Sequence, residues 1–584
     1  MSKRLRALVM AAGISAFLAA PLRAEAPAAN IGKKAAAFAL KDTQGRTVGL
    51  ADFKDRKAVV VVFIGTECPI NNAFMPRLAE LHQEFAPRGV QFLAVNSNVQ
   101  DTGERVAEHV RKYGIPFPVL KDEGSRVADG FGAERNPEAF VLDVAGVIRY
   151  QGRIDDQFGV GYKRPKPTRR DLAEALNEVL AGKSATQART PVAGCLIGRA
   201  KKAGTAGAIT FTKDIAPILQ RNCQECHRPG QIGPMPLLTY RDAAAWADTI
   251  REVVQEQRMP PWFADPRYGR WSNDRRLSQA DRDTLLAWVD QGAPKGDGKD
   301  LPPPRQFVEG WRIDKPDVII SMPREYAVPA DTPRGGIPYQ YFTVETGFTE
   351  DRWVEQAEAR EGSPEVVHHI VVFVVPPGRR FNPEDPNISV LCGTAPGDMP
   401  LILHPGTAKK VPAGSRLVFQ MHYTPSGRAQ NDRSYIGLVF AKKHPERRVL
   451  TEPIANLFVH IPPGADNHKI ESEFTFKDDA HIIGFMPHMH LRGKDFLYEA
   501  IYPDGKKEVL LSVPSYNFNW QSAYRYDQPR AMPKGTRIHC VAHYDNSAKN
   551  PNNPDPTKRV FWGDQTWEEM MIGWMDYVYD RPAQ

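Results

Sequence analysis

Between residues 31 and 180, apolar runs of strand length alternate with amphipathic helical patterns. "KAVVVVFIG" and "VQFLAVNS" predict buried strands, and "NAFMPRLAELHQEFA" between them predicts a helix with one apolar face. "AFVLDVAGVIRYQGRI" predicts a hairpin and "DLAEALNEVLAG" a closing helix, so the segment reads as an α/β layer fold. A polar stretch rich in Ala, Gly, Lys and Thr, 183–208, predicts a linker, and 209–297 predicts short helices joined by loops. A second break, 298–318, contains "PPPRQ". From there to the end short β runs such as "VVHHIVVFVV" and "SRLVFQMHY" are separated by Pro/Gly turns, which predicts β-sandwich architecture.

Composition adds bounds. The chain has 584 residues, enough for about four domains, and its 50 prolines favour loops and β structure over helical bundles. Net charge is +7, but Lys3, Arg4 and Arg6 supply three of it and no long basic run follows, so nucleic acid is not implied. Residues 1–26 combine that basic start, an apolar run from Ala7 to Leu22, and small residues at Ala24 and Ala26. This is the pattern of a cleaved secretory signal peptide, and the run is too short for a stable membrane span. The expected location is periplasmic or secreted. Six cysteines (Cys68, Cys195, Cys223, Cys226, Cys392 and Cys540) are too few for a disulfide scaffold, so their positions matter more than their number.

"FIGTECPINNAFMPRLAEL" sets Cys68 after a buried strand and before a helix, where amide groups lower a thiol's pKa. With "NPEAFVLD", this segment resembles the thioredoxin-like redoxin family, the peroxiredoxins and their relatives, over most of 31–182. The resemblance implies that Pro137 is the cis-proline facing a redox-active Cys68. In "CPIN" Asn71 stands where a dithiol motif has its second cysteine. Cys195 is the candidate resolving partner; a structural Cys68–Cys195 disulfide and a docking module without thiol chemistry are the other two readings.

"RNCQECHRPG" holds Cys223, Cys226 and His227 in a C-x-x-C-H motif. That spacing lets two thiols join the haem vinyl groups while the histidine ligates iron axially. A zinc site would need further Cys or His ligands, and none lies between 228 and 300. Met259 is the candidate second axial ligand, because Met235 lies very close to the attachment loop. The stretch 211–240, with "LLAWVDQGAP", resembles small c-type cytochrome domains of exported bacterial proteins.

Histidines concentrate in the last part of the chain. In "FMPHMHLRG" strand alternation points His488 and His490 to one face and Met489 to the other. Adjacent His368 and His369 should point apart unless the strand is bulged, so periodicity alone reads them as one ligand and one packed ring. The order of "VVHHIVVF", "QMHY", "HMH" and "GDQTWEEMM" resembles the copper type II, ascorbate-dependent monooxygenases, which include the peptidylglycine α-hydroxylating and dopamine β-monooxygenases. The resemblance implies two jelly-roll-like β-sandwich domains, 319–455 and 456–584. It also implies an electron-transfer copper on His368, His369 and His422, and an oxygen-activating copper on His488, His490 and Met570. Imidazole suits copper in both oxidation states and thioether favours the reduced ion, whereas zinc rarely takes methionine. His404, His444 and His460 read as histidines packed in a core, and His543 is unassigned. Met571 stands where the family has the disulfide partner of Cys540, and Pro487 where its peptide-hydroxylating member has a substrate-binding arginine. A peptide C-terminus is therefore not the expected substrate.

The combined expectation is a multidomain oxidoreductase with haem c and two copper ions. It would hydroxylate a small organic substrate with O2, its electrons passing through the on-chain haem from ascorbate or a periplasmic redox protein. The alternative is a periplasmic electron-transfer or copper-handling protein that hydroxylates nothing.

Overall fold

The computed structural model describes residues 30–164, 166–201, 209–307, 310–330, 337–382, 385, 388–394, 400–426 and 428–583. The expected signal peptide and part of the 183–208 linker lie outside them.

The N-terminal domain is an α/β layer structure. Its seven-stranded sheet runs Thr47–Gly49, Ala39–Asp42, Val119–Lys121, Val90–Asn96, Ala58–Phe63, Glu138–Asp143 and Ile148–Gly152. Strand Ala58–Phe63 is buried along its whole length because helices cover both of its faces. Its neighbour Val90–Asn96 is parallel and Glu138–Asp143 antiparallel. Helix Pro69–Phe85 starts just beyond the central strand, with Cys68 as its N-cap. Strand Cys195–Leu196 returns from the far side of the domain to pair with Arg135–Asn136.

Helices Ala216–Asn222, Tyr240–Ala245, Ala247–Gln255 and Gln279–Asp290 gather around fully buried Trp288. Their starts are set locally: Thr239 and Ser278 accept from the backbone N–H of Asp242 and Asp281, satisfying amides that the helix leaves unpaired. Residues 262–273 leave this group. Trp262 and Trp271 pack against Tyr524 and Tyr526 of the last β domain, and Asp265 and Ser272 donate backbone N–H bonds to Ser512 and Arg525.

The remaining chain is β. One long sheet runs Val318–Ser321, Tyr435–Phe440, Arg352–Arg360, Thr407–Val411, Arg447–Ala455, Ile572–Tyr579, Ala480–His488 and Tyr524–Met532. Each half carries its own apolar core, one with strands Gln340–Glu345, Arg416–Tyr423, Val367–Val375 and Ser389–Thr394, the other with His468–Thr475, Arg537–Tyr544, Gly493–Ile501 and Lys507–Val513. The parallel pair Thr407–Val411 and Arg447–Ala455 joins the halves, and residues 449–455 pair antiparallel with 572–578. Among the described residues no helix is long and apolar enough to cross a membrane.

Candidate functional site

Four clusters of reactive side chains stand out, and the thiol site comes first along the chain. Cys68 is 1% exposed. Its Sγ accepts from the Cys195 backbone N–H at 3.3 Å and lies 3.3 Å from the Asn136 carbonyl oxygen. Asn136–Pro137 is a cis peptide, as the redoxin resemblance implies for Pro137. Burial raises the Cys68 thiol, but hydrogen bonds from the Cys195 thiol and from the backbone at Asn71, Cys195 and Ile70 outweigh it and hold Cys68 below its ordinary value. Its contact with Cys68, together with burial, pushes Cys195 well above. The pair therefore loses its first proton from Cys68.

Asn71 has a task of its own. Its side chain accepts from Gly65 N–H at 3.3 Å and donates to the Gly65 carbonyl at 2.5 Å. The residue standing where a second cysteine is usual thus braces the turn that carries the first.

The C-x-x-C-H segment forms a tight turn at the end of helix Ala216–Asn222. The N–H groups of Cys226 and His227 both point to the Cys223 carbonyl, at 3.2 and 3.0 Å. Burial pushes the Cys223 thiol up to about 12 and raises Cys226 as well. His227 Nδ1 lies 3.0 Å from the Met235 carbonyl oxygen, which fixes the ring and leaves Nε2 for a ligand. Two thiols and an oriented imidazole on one turn fit covalent haem. Met235 packs its side chain into the helical core. Met259 lies outside that core, on the loop after helix Ala247–Gln255.

The β region brings His368, His369 and His422 together, with one ring nitrogen from each within 4.8 Å of the others. His369 sits opposite His422 across the strand pair Val367–Val375 and Arg416–Tyr423. A register shift between Val367 and His369 brings His368 to the same side. Neighbouring histidines are thus not one inward and one packed; the bulge lets both converge. His422 Nδ1 is buried without a hydrogen-bond partner, which fits a donor waiting for a cation.

His488 ends strand Ala480–His488 and His490 follows it, their rings perpendicular with centroids 5.2 Å apart. His488 Nδ1 is 2.6 Å from Gln521 Oε1, and His490 Nδ1 is 3.3 Å from the Glu568 carbonyl. His490 Nε2 is buried with no partner. Both rings thus have one nitrogen held by an oxygen, the arrangement that orients metal-binding imidazoles. Burial depresses all five histidines, His368 and His488 to about 4, leaving them neutral as metal binding requires. Met489 is fully buried in the apolar core, whereas Met570 lines the same cavity as His488 and Gln521. That cavity, about 860 Å³, also reaches His369. Phe518 lies between the groups: its ring stacks on His368 at 5.4 Å and lies 6.1 Å from His490.

Sequence reasoning missed the residues that hold these ligands. Fully buried Glu569 accepts from the backbone N–H of His490 at 2.8 Å and Arg492 at 2.6 Å. Its place beside Met570 is the only signal that the sequence offered. Gln521 and Phe518 lie in a loop with no motif. His543 is held by Asp495 at 2.6 Å, and Cys540 is buried against Gly573 and Tyr498.

Residues 31–151 match the AhpC/TSA family. The thiol-disulfide oxidoreductase ResA of Halalkalibacterium halodurans is 32% identical over 120 residues, 20% of this chain and 66% of the relative. The chain thus spans just under two thirds of that protein's length. ResA of Geobacillus thermodenitrificans is 30% identical over 24% of this chain and 80% of its own length. A solved hypothetical protein of Sinorhizobium meliloti is 36% identical, covering 30% of this chain and 96% of its own with a TM-score of 0.27. Through residues 31–151 the chain belongs to the AhpC/TSA family and carries a thiol-disulfide oxidoreductase-like redox domain.

Proposed function

We propose that this chain is an exported copper-dependent monooxygenase that hydroxylates a small organic substrate with O2, receiving its electrons through a c-type haem on the same chain. The observation that carries the reading is that one cavity is lined by His369, from the cluster His368/His369/His422, and by His488 and Met570 of the second expected group. Copper held there would supply one-electron and oxygen chemistry, the thioether favouring the reduced ion. Storage alone has no need for two unlike sites.

The chain's own groups have definite tasks in this scheme. Gln521 and the Glu568 carbonyl hold Nδ1 of His488 and His490 and so fix Nε2 as the nitrogen left for a metal. Glu569 pins the backbone of the turn between His490 and Arg492. Phe518 lies between the two groups, its ring against both His368 and His490. A cavity of about 860 Å³ is the size that takes small organic ligands.

Cys223, Cys226, His227 and Met259 would hold a haem supplying single electrons. The route of the chain supports its pairing with the second group. Three residues beyond Met259, Trp262 packs on Tyr524 at 4.9 Å, and three residues before Tyr524, Gln521 holds His488. Both modules being on one chain raises the effective concentration of donor beside acceptor. The donor to the haem is ascorbate or a periplasmic redox protein in this reading.

Oxygen uptake by the reduced, copper-loaded protein, with and without candidate substrates, tests the activity. Substrate-dependent uptake is expected. Absence of uptake with both coppers bound would instead make the chain an electron-transfer or copper-handling protein.

A further inference from the structure

Residues 194–198 are held against the thiol site more firmly than a linker requires. Strand Cys195–Leu196 pairs antiparallel with Arg135–Asn136, Cys195 opposite Asn136. Ile197 N–H donates to the Glu134 carbonyl at 2.8 Å, and Gly198 N–H to Asn98 Oδ1 at 2.9 Å. Gly194 has φ +146, and a Cβ there would lie 2.0 Å from the Asn136 carbonyl oxygen. Only glycine lets the strand approach so closely. The pairing delivers the Cys195 backbone N–H and thiol to Cys68.

The same segment carries the C-x-x-C-H module. Cys195 packs against the helical core, and a Cβ on Gly198 would come within 2.9 Å of the Ala245 carbonyl. Arg135 links the layers: its guanidinium donates to the Gly194 carbonyl at 2.7 Å and pairs with Glu252 of helix Ala247–Gln255 at 2.7 Å. Glu67, next to Cys68, hydrogen-bonds Trp246. Cys68 therefore lies beneath its own chain and a neighbouring module, with Cys195 as the one thiol in contact with it.

An extended polypeptide that adds a strand beside a groove gains main-chain hydrogen bonds and presents its side chains in fixed register. We propose that residues 194–198 are a built-in substrate strand, which occupies the groove where a cysteine-bearing polypeptide would dock, and that a reversible Cys68–Cys195 disulfide latches this strand and the helical module over the thiol site. The exchange balances with an external disulfide as oxidant. Once the strand lifts, the Cys68 thiolate attacks one sulfur of the external disulfide and expels the other half as a thiolate. The strand then returns, Cys195 gives its proton to that departing thiolate, and its sulfur attacks Cys68 to expel the second half. Two protein thiols are oxidised and one disulfide is reduced to two thiols. Neither haem nor copper takes part, so the proposal stands apart from the monooxygenase reading.

Ellman's disulfide, 5,5′-dithiobis(2-nitrobenzoate), with the full-length protein under anaerobic conditions tests it, followed by peptide mapping without reduction. The wild type should yield a peptide linking Cys68 to Cys195, two thionitrobenzoates released per link and no adduct kept on Cys68. Cys195→Ser should release one and keep the adduct on Cys68; if that variant does not fold, Cys195→Ala takes its place, and the wild-type stoichiometry stands alone. Glu252→Gln should give the wild-type products about two- to fivefold faster, as expected for loss of a partly exposed ion pair that holds the cover. A stable adduct on Cys68 in the wild type would overturn the internal partnership. An unchanged rate in Glu252→Gln would overturn the latch.

Discussion

Single residues decide what each site can do, and their hydrogen bonds make the consequences measurable. Asn71 satisfies both polar groups of Gly65. Asn71→Ala should therefore lower stability by about 1–3 kcal/mol through the unpaired buried backbone, read as a shift of the urea midpoint. Cys68 is held below its ordinary pKa by bonds that include the Cys195 thiol. Its alkylation rate should keep its full value to a pH below the ordinary thiol range, and the profile should move to higher pH in Cys195→Ala. A profile unmoved by that change would mean the thiol contact does not matter. Gln521 holds His488, so Gln521→Ala should weaken copper binding at the second group about 10- to 100-fold in chelator competition, leaving the three-histidine group intact. At this scale the sequence was legible where local position governs: strand alternation turned Met489 away from His488 and His490, and the strand-to-helix turn pointed to Cys68. It was silent on Glu569, Gln521 and Phe518, because residues that hold ligands from other strands leave no local pattern.

Elements add what alternation alone misjudges. A regular strand would separate His368 from His369; the register shift between Val367 and His369 unites them, and no residue in "VVHHIVVF" announces it. The helical segment was readable as short helices joined by loops, but its continuation was not. Residues 262–273, which read as loop, insert Trp262 and Trp271 into the core of the last β domain. Truncating buried Trp271 to alanine should cost about 3–5 kcal/mol. Calorimetry should show the loss in the melting of the last β domain; loss confined to the helical module would contradict the docking.

At the scale of the molecule, alternating layers, helices and β runs were legible in order, since each follows from local periodicity. Their mutual arrangement was not, because it depends on contacts hundreds of residues apart. Lys112 faces Glu365 at 3.4 Å, and Asn519 donates to the Gly161 carbonyl at 3.3 Å, so the thiol domain also rests on the β domains near the histidines. A chain whose thiol, C-x-x-C-H and histidine modules touch one another fits a single redox assembly better than unrelated units on a string.

Metal analysis by mass spectrometry of protein matured in a periplasm with haem and copper available tests the central claim most directly. Two copper ions per chain are predicted, falling to one in His422→Ala and to one in His488→Ala, with covalent haem unchanged in both variants. Zinc in place of copper, or a single copper lost equally in either variant, would contradict the account.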